Sequence, residues 1–179
     1  GNAELTEDSA ARKRDFGYLL CDAWEQSARP VSRQGVRLCL VRTGIVLGRD
    51  GGMLGKLLPL YRLGFGAMLG DGSQWLSWIH IDDMVAILVR AVETPGIDGV
   101  FNATAPAPVT QREFHRSLAS AVKRPAFLRV PSVALRAGLG EQSEILLGGQ
   151  RVYPRRLEQQ GFVFRFPDLR SALAHQIKR

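Results

Sequence analysis

Cysteine is scarce in this sequence of 179 residues, with only Cys21 and Cys39 present. Neither has the spacing to other ligand-type side chains that a metal site needs. So few thiols fit a reducing compartment, and a cytoplasmic location is the expectation. No apolar run approaches the roughly 20 residues that cross a bilayer, so no membrane partner is expected. A secretory leader and an initiator methionine are both missing, and the opening at Gly1 reads as part of something longer. No block of like charge exceeds Arg12-Lys13-Arg14, and aromatic residues do not alternate with basic ones. That argues against nucleic acid as the partner despite the net charge of +7. His80, His115 and His175 lie far apart along the chain, which argues against a metal. His115 and His175 read as surface helix residues. There is no G-x-S-x-G elbow, no P-loop and no G-x-G-x-x-G fingerprint between a strand and a helix.

What is present reads as an α/β chain. Hydrophobic residues make up 45%, enough for a sizeable core, and charged residues 23%, which is not a disordered composition. Residues 1–14 are polar and read as loose. Asp15 can cap a helix through Ala28, with Phe16, Leu20, Ala23, Trp24 and Ser27 on one face. Val36–Val41 is dense enough in apolar residues for a strand covered on both sides, as in a parallel sheet. Arg42–Gly48 follows at the carboxyl end of that strand, where open α/β sheets bind ligands. Met53–Leu63 reads as a helix, with Leu54, Leu57, Leu58 and Tyr61 on its apolar face. Gly64, Gly66, Gly70 and Gly72 read as a turn or hairpin near a site mouth.

The centre of the chain is Trp75–Met84. It reads as a short extended piece running into an apolar helix, Asp82–Val92, with Asp82 as its N-cap. Asp82 and Asp83 point about 100° apart on a helix, a poor acid–base pair. Asp83 reads as exposed or arginine-paired, and His80 as a satisfied structural histidine. Tyr18 beside Lys13, Arg14 or Lys56 would suit a general acid, but nothing in the sequence sets that geometry. Gly99–Ala103 reads as a strand, and Thr110 with Glu113 as a capping box for a helix to Val122. Beyond it, Pro131, Glu141–Leu147 and Pro154–Gln159 mark short helices. Phe162–Phe166 alternates as a half-buried strand, and Pro167 opens a terminal helix.

These segments together resemble the extended short-chain dehydrogenase/reductases. The likeness is carried by Trp24-Glu25, Arg42-Thr43-Gly44-Ile45-Val46-Leu47-Gly48, Trp78-Ile79-His80-Ile81-Asp82-Asp83-Met84 and Phe101–Pro106. More narrowly they resemble the atypical YfcH-like branch of the NAD-dependent epimerase/dehydratases. Leu147–Pro154 and Gly161–Leu169 resemble that branch's C-terminal domain of unknown function. The resemblance implies the C-terminal part of a Rossmann-like, doubly wound parallel sheet over residues 1–128. A small, mostly helical C-terminal domain follows over residues 129–179.

It further implies NAD or NADP as cofactor in the full-length protein, NADP slightly favoured, and a nucleotide-sugar-like partner. Arg42, Thr43, Gly44, Ile45 and Val46 would line the nicotinamide end of the cofactor pocket. Lys56, Trp75, Trp78 and His80 would border the substrate cleft. The wider superfamily's Tyr-x-x-x-Lys pair is missing: Gly17 and Cys21 stand at its two positions. The catalytic residues are therefore not assigned. A non-catalytic NADP(H) sensor or scaffold stands as the alternative to hydride transfer. The glycine fingerprint that cradles a dinucleotide is also absent, so these residues alone are expected to bind one weakly. The oligomeric state is left open.

Overall fold

A computed structural model of the chain describes residues 2–10 and 16–178. In chain order the first elements are β1 (Glu4–Leu5), α1 (Phe16–Ala28), a 3-10 turn at Arg29–Gln34, β2 (Cys39–Thr43), β3 (Ile45–Leu47) and α2 (Gly52–Arg62). β4 (Ala67–Leu69), β5 (Trp75–Leu76), β6 (Trp78–His80), α3 (Ile81–Glu93) and β7 (Gly99–Ala103) follow. Then come β8 (Val109–Thr110), α4 (Gln111–Ala121), β9 (Leu128–Val130) and α5 (Ser132–Leu139). The last are a 3-10 turn at Gly140–Gln142, α6 (Ser143–Leu147), β10 (Arg151–Val152), α7 (Arg155–Gln159) and α8 (Leu169–Lys178).

The strands join in pairs, four parallel and one antiparallel. The longest pairing sets β2 against β7, Cys39 opposite Gly99 through Thr43 opposite Ala103. Parallel strands need a crossover, and this one runs through β3, α2, β4, β5, β6 and α3, with α3 leading into β7. The inward Ile87 of α3 packs with Ile79, Ile97, Phe101, Ala103 and Leu157 in one buried cluster. A second cluster gathers Leu54, Leu58 and Tyr61 of α2, Phe114 and Leu118 of α4, and Ala172 and Leu173 of α8 around Trp78. The helical spacing read for α2 is thus the spacing of its buried face. The Thr110–Glu113 capping box is present, with the Thr110 side chain accepting from the Glu113 backbone N–H at 3.2 Å.

Several sequence expectations need correction. The polar amino-terminal stretch is not loose throughout: β1 pairs with β10, and Glu7 is buried. The strand expected at Val36–Val41 is shifted to Cys39–Thr43, and Ile45–Leu47, within the stretch expected to follow the strand, is itself a strand that pairs with β6. The glycine-rich stretch is not a hairpin, because β4 pairs in parallel with the distant β9. Phe162–Phe166 forms no strand. Its alternation is real, with Val163 outward and Phe166 buried, but its backbone bonds a side chain instead of a neighbouring strand. The terminal helix starts at Leu169, with Asp168 accepting from the Ser171 N–H at 2.9 Å. No described residue of α1 is buried, so the face expected around Phe16 and Trp24 meets solvent. The proposed Asp15 cap lies outside the described residues, as do Lys13 and Arg14.

Candidate functional site

The carboxyl ends of β2 and β7 meet at Arg42, Thr43, Asn102 and Ala103. Arg42 forks onto Glu25 of α1, its Nε 2.7 Å from one carboxylate oxygen and its Nη2 2.8 Å from the other. The hydrogen bond from Arg42 and its charge hold the Glu25 carboxyl below its usual range, and Glu25 raises the Arg42 guanidinium in turn. Thr43 is exposed beside it. Gly44 then brings the backbone into close contact. Its N–H donates to Ala103 O at 3.0 Å, and a Cβ there would sit 2.7 Å from Ser77 O and 2.9 Å from Thr104 Cγ2. Only glycine fits this approach. The Ile45 N–H reaches Ser77 O at 2.8 Å, which passes the chain from the β2/β7 pair to the β3/β6 pair.

Val46 leads from that junction into a cleft of about 630 Å³, lined by Val46, Gly48–Gly52, Ile81 and Gln176. The N-terminus of α2 opens on this cleft. Its N-cap is Gly51, which offers no side chain to the first-turn N–H groups. Those groups and the positive end of the helix suit an anionic ligand. Lys56, a turn further along α2, is exposed and not in the cleft lining.

Of the Trp75–Met84 stretch, Ile81 lines the cleft, and the stretch is more buried than its composition suggests. Trp78 and His80 are fully enclosed. The Trp78 indole N–H donates to Ala107 O at 3.0 Å. His80, rather than Asp82, is the N-cap of α3: its Nδ1 accepts the Asp82 backbone N–H at 3.0 Å. Its Nε2 lies 3.1 Å from His175 Nδ1 and 2.7 Å from Gln176 Nε2. Burial pushes the His80 pKa down, with Asp82 pulling the other way. Trp75 is half-buried, with the Arg151 guanidinium 4.5 Å over its ring and its indole N–H on Asn2 Oδ1.

Both aspartates differ from expectation. Asp82 pairs with Arg165 at 3.3 Å in the first turn of α3. Asp83 is buried, and its two oxygens accept the backbone N–H groups of Arg165 at 2.8 Å and Phe166 at 3.0 Å. The histidines are also not surface residues. His115 is buried, and His175, half-buried, meets His80 edge to edge. His80, Asp82 and His175 present atoms within 4.8 Å of one another, so separation along the chain was no guide to separation in space.

Other residues of the site carry no local signal. Ser77 Oγ donates to Gln150 O at 2.7 Å and accepts the Val152 N–H at 2.9 Å. Asn102 Nδ2 donates to Tyr153 O at 3.0 Å. Glu7 Oε1 accepts the Asn102 N–H at 3.0 Å. These bonds dock β10 onto the strand ends and join residues 48 to 95 positions apart, counting the Thr104 hydroxyl on Val152 O. Among the described residues, Gln176 closes the cleft from α8, its Oε1 accepting the Arg49 N–H at 2.9 Å.

Comparisons with known proteins give the family and the fold. The profile of the NAD-dependent epimerase/dehydratase family matches residues 16–103, and a domain of unknown function (DUF1731) matches residues 130–176. An epimerase family protein of Mycobacterium tuberculosis is 45% identical over 180 residues, covering 97% of this chain and 60% of its own. The crystal structure of the human epimerase family protein SDR39U1 with NADPH superposes with a TM-score of 0.94 at 39% identity, over 99% of this chain and 60% of that one. A nucleoside-diphosphate sugar epimerase from Corynebacterium glutamicum gives 0.80 at 35% identity, over 99% of this chain and 34% of that one. The chain spans between about half and three fifths of the curated relatives it matches, from 48% to 60%.

Proposed function

This chain belongs to the NAD-dependent epimerase/dehydratase family, and from that premise we propose that it is the substrate-side portion of an enzyme acting on a nucleoside-diphosphate sugar. The observation that carries the reading is the cleft between Val46 and Gln176, onto which the uncapped N-terminus of α2 opens. Its first-turn N–H groups bind the diphosphate, with Arg49 beside them. Val46 and Ile81 give the cleft an apolar side against which a sugar or ribose ring rests. The relative from Corynebacterium glutamicum, a nucleoside-diphosphate sugar epimerase, supports the substrate class.

A nicotinamide cofactor would take and return a hydride at the sugar carbon. The human relative's complex with NADPH and the basic surplus of this chain favour NADP(H). The missing side chain at Gly44 lets the strand end pack on Ser77 and Thr104, and the nicotinamide end would lie against the exposed residues before it. Exposed Arg42 and Thr43 border it, and Arg42 is held in place by Glu25. The pyrophosphate end finds no glycine fingerprint in these residues. Residues 1–128 serve as the nucleotide-side unit and 129–179 as the unit that closes over the substrate.

The test is Gly51→Asp. The N-cap position is extended, and a Cβ there meets nothing within 4 Å, so the side chain fits. Aspartate would accept the first-turn N–H groups and place a negative charge in the cleft. Titration with UDP-glucose should show at least about tenfold weaker binding with an unchanged or slightly raised melting temperature. Unchanged affinity would refute the diphosphate site. One observation favours the alternative of a non-catalytic NADP(H) sensor: Gly17 and Cys21 occupy the positions of the superfamily's tyrosine and lysine. Oxidation of bound NADPH by a nucleotide sugar, tested on a protein that includes the glycine fingerprint, separates the two.

A further inference from the structure

Two loops at one end of the molecule carry apolar side chains and cations with no acid. The first, residues 62–66, reads Arg-Leu-Gly-Phe-Gly and follows α2. The second, residues 123–129, reads Lys-Arg-Pro-Ala-Phe-Leu-Arg and follows α4. Neither contains Asp or Glu, and neither contains Ser, Thr, Asn or Gln. The loops lie side by side because β4 and β9 pair in parallel, with Ala67 opposite Leu128. His115 of α4 fastens them further, its Nδ1 2.6 Å from the Tyr61 hydroxyl and its Nε2 3.1 Å from Ala126 O.

The apolar side chains stand out from this end. Phe127 is 90% exposed, Leu63 70%, Phe65 62% and Leu128 49%. Each loop is closed by backbone bonds, the Phe65 N–H to Leu60 O at 2.9 Å and the Arg124 N–H to Ala119 O at 3.1 Å. The tips are therefore presented on a folded base. Arg62, Lys123 and Arg124 are exposed around them, and no ion pair engages them among the described residues. Arg129 turns back to Gly70 O at 2.7 Å.

Large apolar groups clustered in water mark a contact surface. Here the cations choose the partner. We propose that this end of the molecule is a peripheral docking surface for an anionic lipid bilayer. Phe65, Phe127, Leu63 and Leu128 enter the headgroup–acyl boundary, and Arg62, Lys123 and Arg124 meet the lipid phosphates. Nucleic acid fits less well. Leucines do not stack on bases, and the loops hold no amide or hydroxyl side chain to read a base edge. The short apolar runs that exclude a membrane span do not bear on surface binding.

Flotation of the 179-residue chain with vesicles tests this. Binding is expected to vesicles containing about 30% anionic phosphatidylglycerol and not to pure phosphatidylcholine, weakening as salt is raised. Lys123→Glu with Arg124→Glu should lower the partition coefficient by more than about tenfold. Phe65→Ser with Phe127→Ser should lower it by a similar factor at unchanged salt dependence. Each side chain is exposed, so the melting temperatures should match that of the unsubstituted chain. Equal binding to neutral vesicles, no binding to anionic ones, or full binding by the phenylalanine variant would overturn the proposal. Binding of a single-stranded oligonucleotide more tightly than anionic vesicles, lost in the phenylalanine variant, would overturn it in favour of nucleic acid.

Discussion

His80 Nδ1 lies 3.0 Å from the backbone nitrogen of Asp82 and accepts its proton, so a buried ring caps the helix that crosses from β6 to β7. His80→Ala removes the cap and leaves a cavity. The cap alone is worth about 1 kcal/mol, and the cavity adds to it. His80→Asn restores the acceptor and should recover part of the loss, read by urea denaturation.

The same ring makes stability depend on pH. Burial depresses the His80 pKa in the folded state, so the unfolded chain binds its proton more readily. The stabilisation is complete above the ordinary histidine pKa of about 6.5 and is lost as pH falls from there toward the depressed value. Melting temperature against pH should therefore slope downward below about 6.5, and His80→Asn should flatten that slope. An identical slope in the variant would assign it to another group.

Asp83→Asn should be costly although it conserves shape. The carboxylate accepts two backbone N–H groups, from Arg165 and Phe166, and an amide can accept only one of them. The other is left facing an amide donor in a buried position, at a cost of about 1–3 kcal/mol. Chemical denaturation measures it, and hydrogen exchange at Phe166 shows whether that amide has lost protection.

Gly44→Ala tests the close approach at the strand ends. The added methyl would lie 2.7 Å from Ser77 O, a backbone atom that cannot swing aside. A loss of about 1–3 kcal/mol is expected, as for other overpacked sites. Gly35→Ala does not serve as the matched control, since Gly35 has a φ of +74°. Gly138→Ala does, as it meets nothing within 4 Å and has no positive φ. Its effect should be neutral or slightly stabilising.

Tyr61 adds a prediction at high pH. Burial raises its hydroxyl to about 12, so the folded chain keeps the proton that the unfolded chain gives up near 10. That stability is present below about pH 10 and lost as pH rises through about 12. Tyr61→Phe, which also removes the bond to His115, should weaken the fall in stability across this window in a denaturant series.

The parts of this fold that the sequence reveals are those written in local pattern. The α2 spacing Leu54-Leu58-Tyr61, the Thr110 and Glu113 box and the apolar run before Arg42 each depend on neighbours within a few residues. The site depends on the opposite. Glu7 meets Asn102, Ser77 meets Gln150, and His80 meets His175, all across long stretches of chain. Asp82 reads as a cap because aspartate is a good one, but the N-cap is the histidine two residues earlier, which accepts the N–H of Asp82 itself. Phe162–Phe166 alternates like a strand, yet its backbone donors are taken by a carboxylate on α3. The loop pair at 62–66 and 123–129 is visible only once β4 and β9 are known to pair.

The central claim is that these residues hold the sugar-nucleotide side of the site and not the dinucleotide cradle. Paired calorimetric titrations of the 179-residue chain test it most directly, one with UDP-glucose and one with NADPH under the same conditions. The account predicts saturable heat with UDP-glucose, weakened by Gly51→Asp, and no saturation with NADPH at matched concentrations. Tight binding of NADPH with no response to the nucleotide sugar would contradict it.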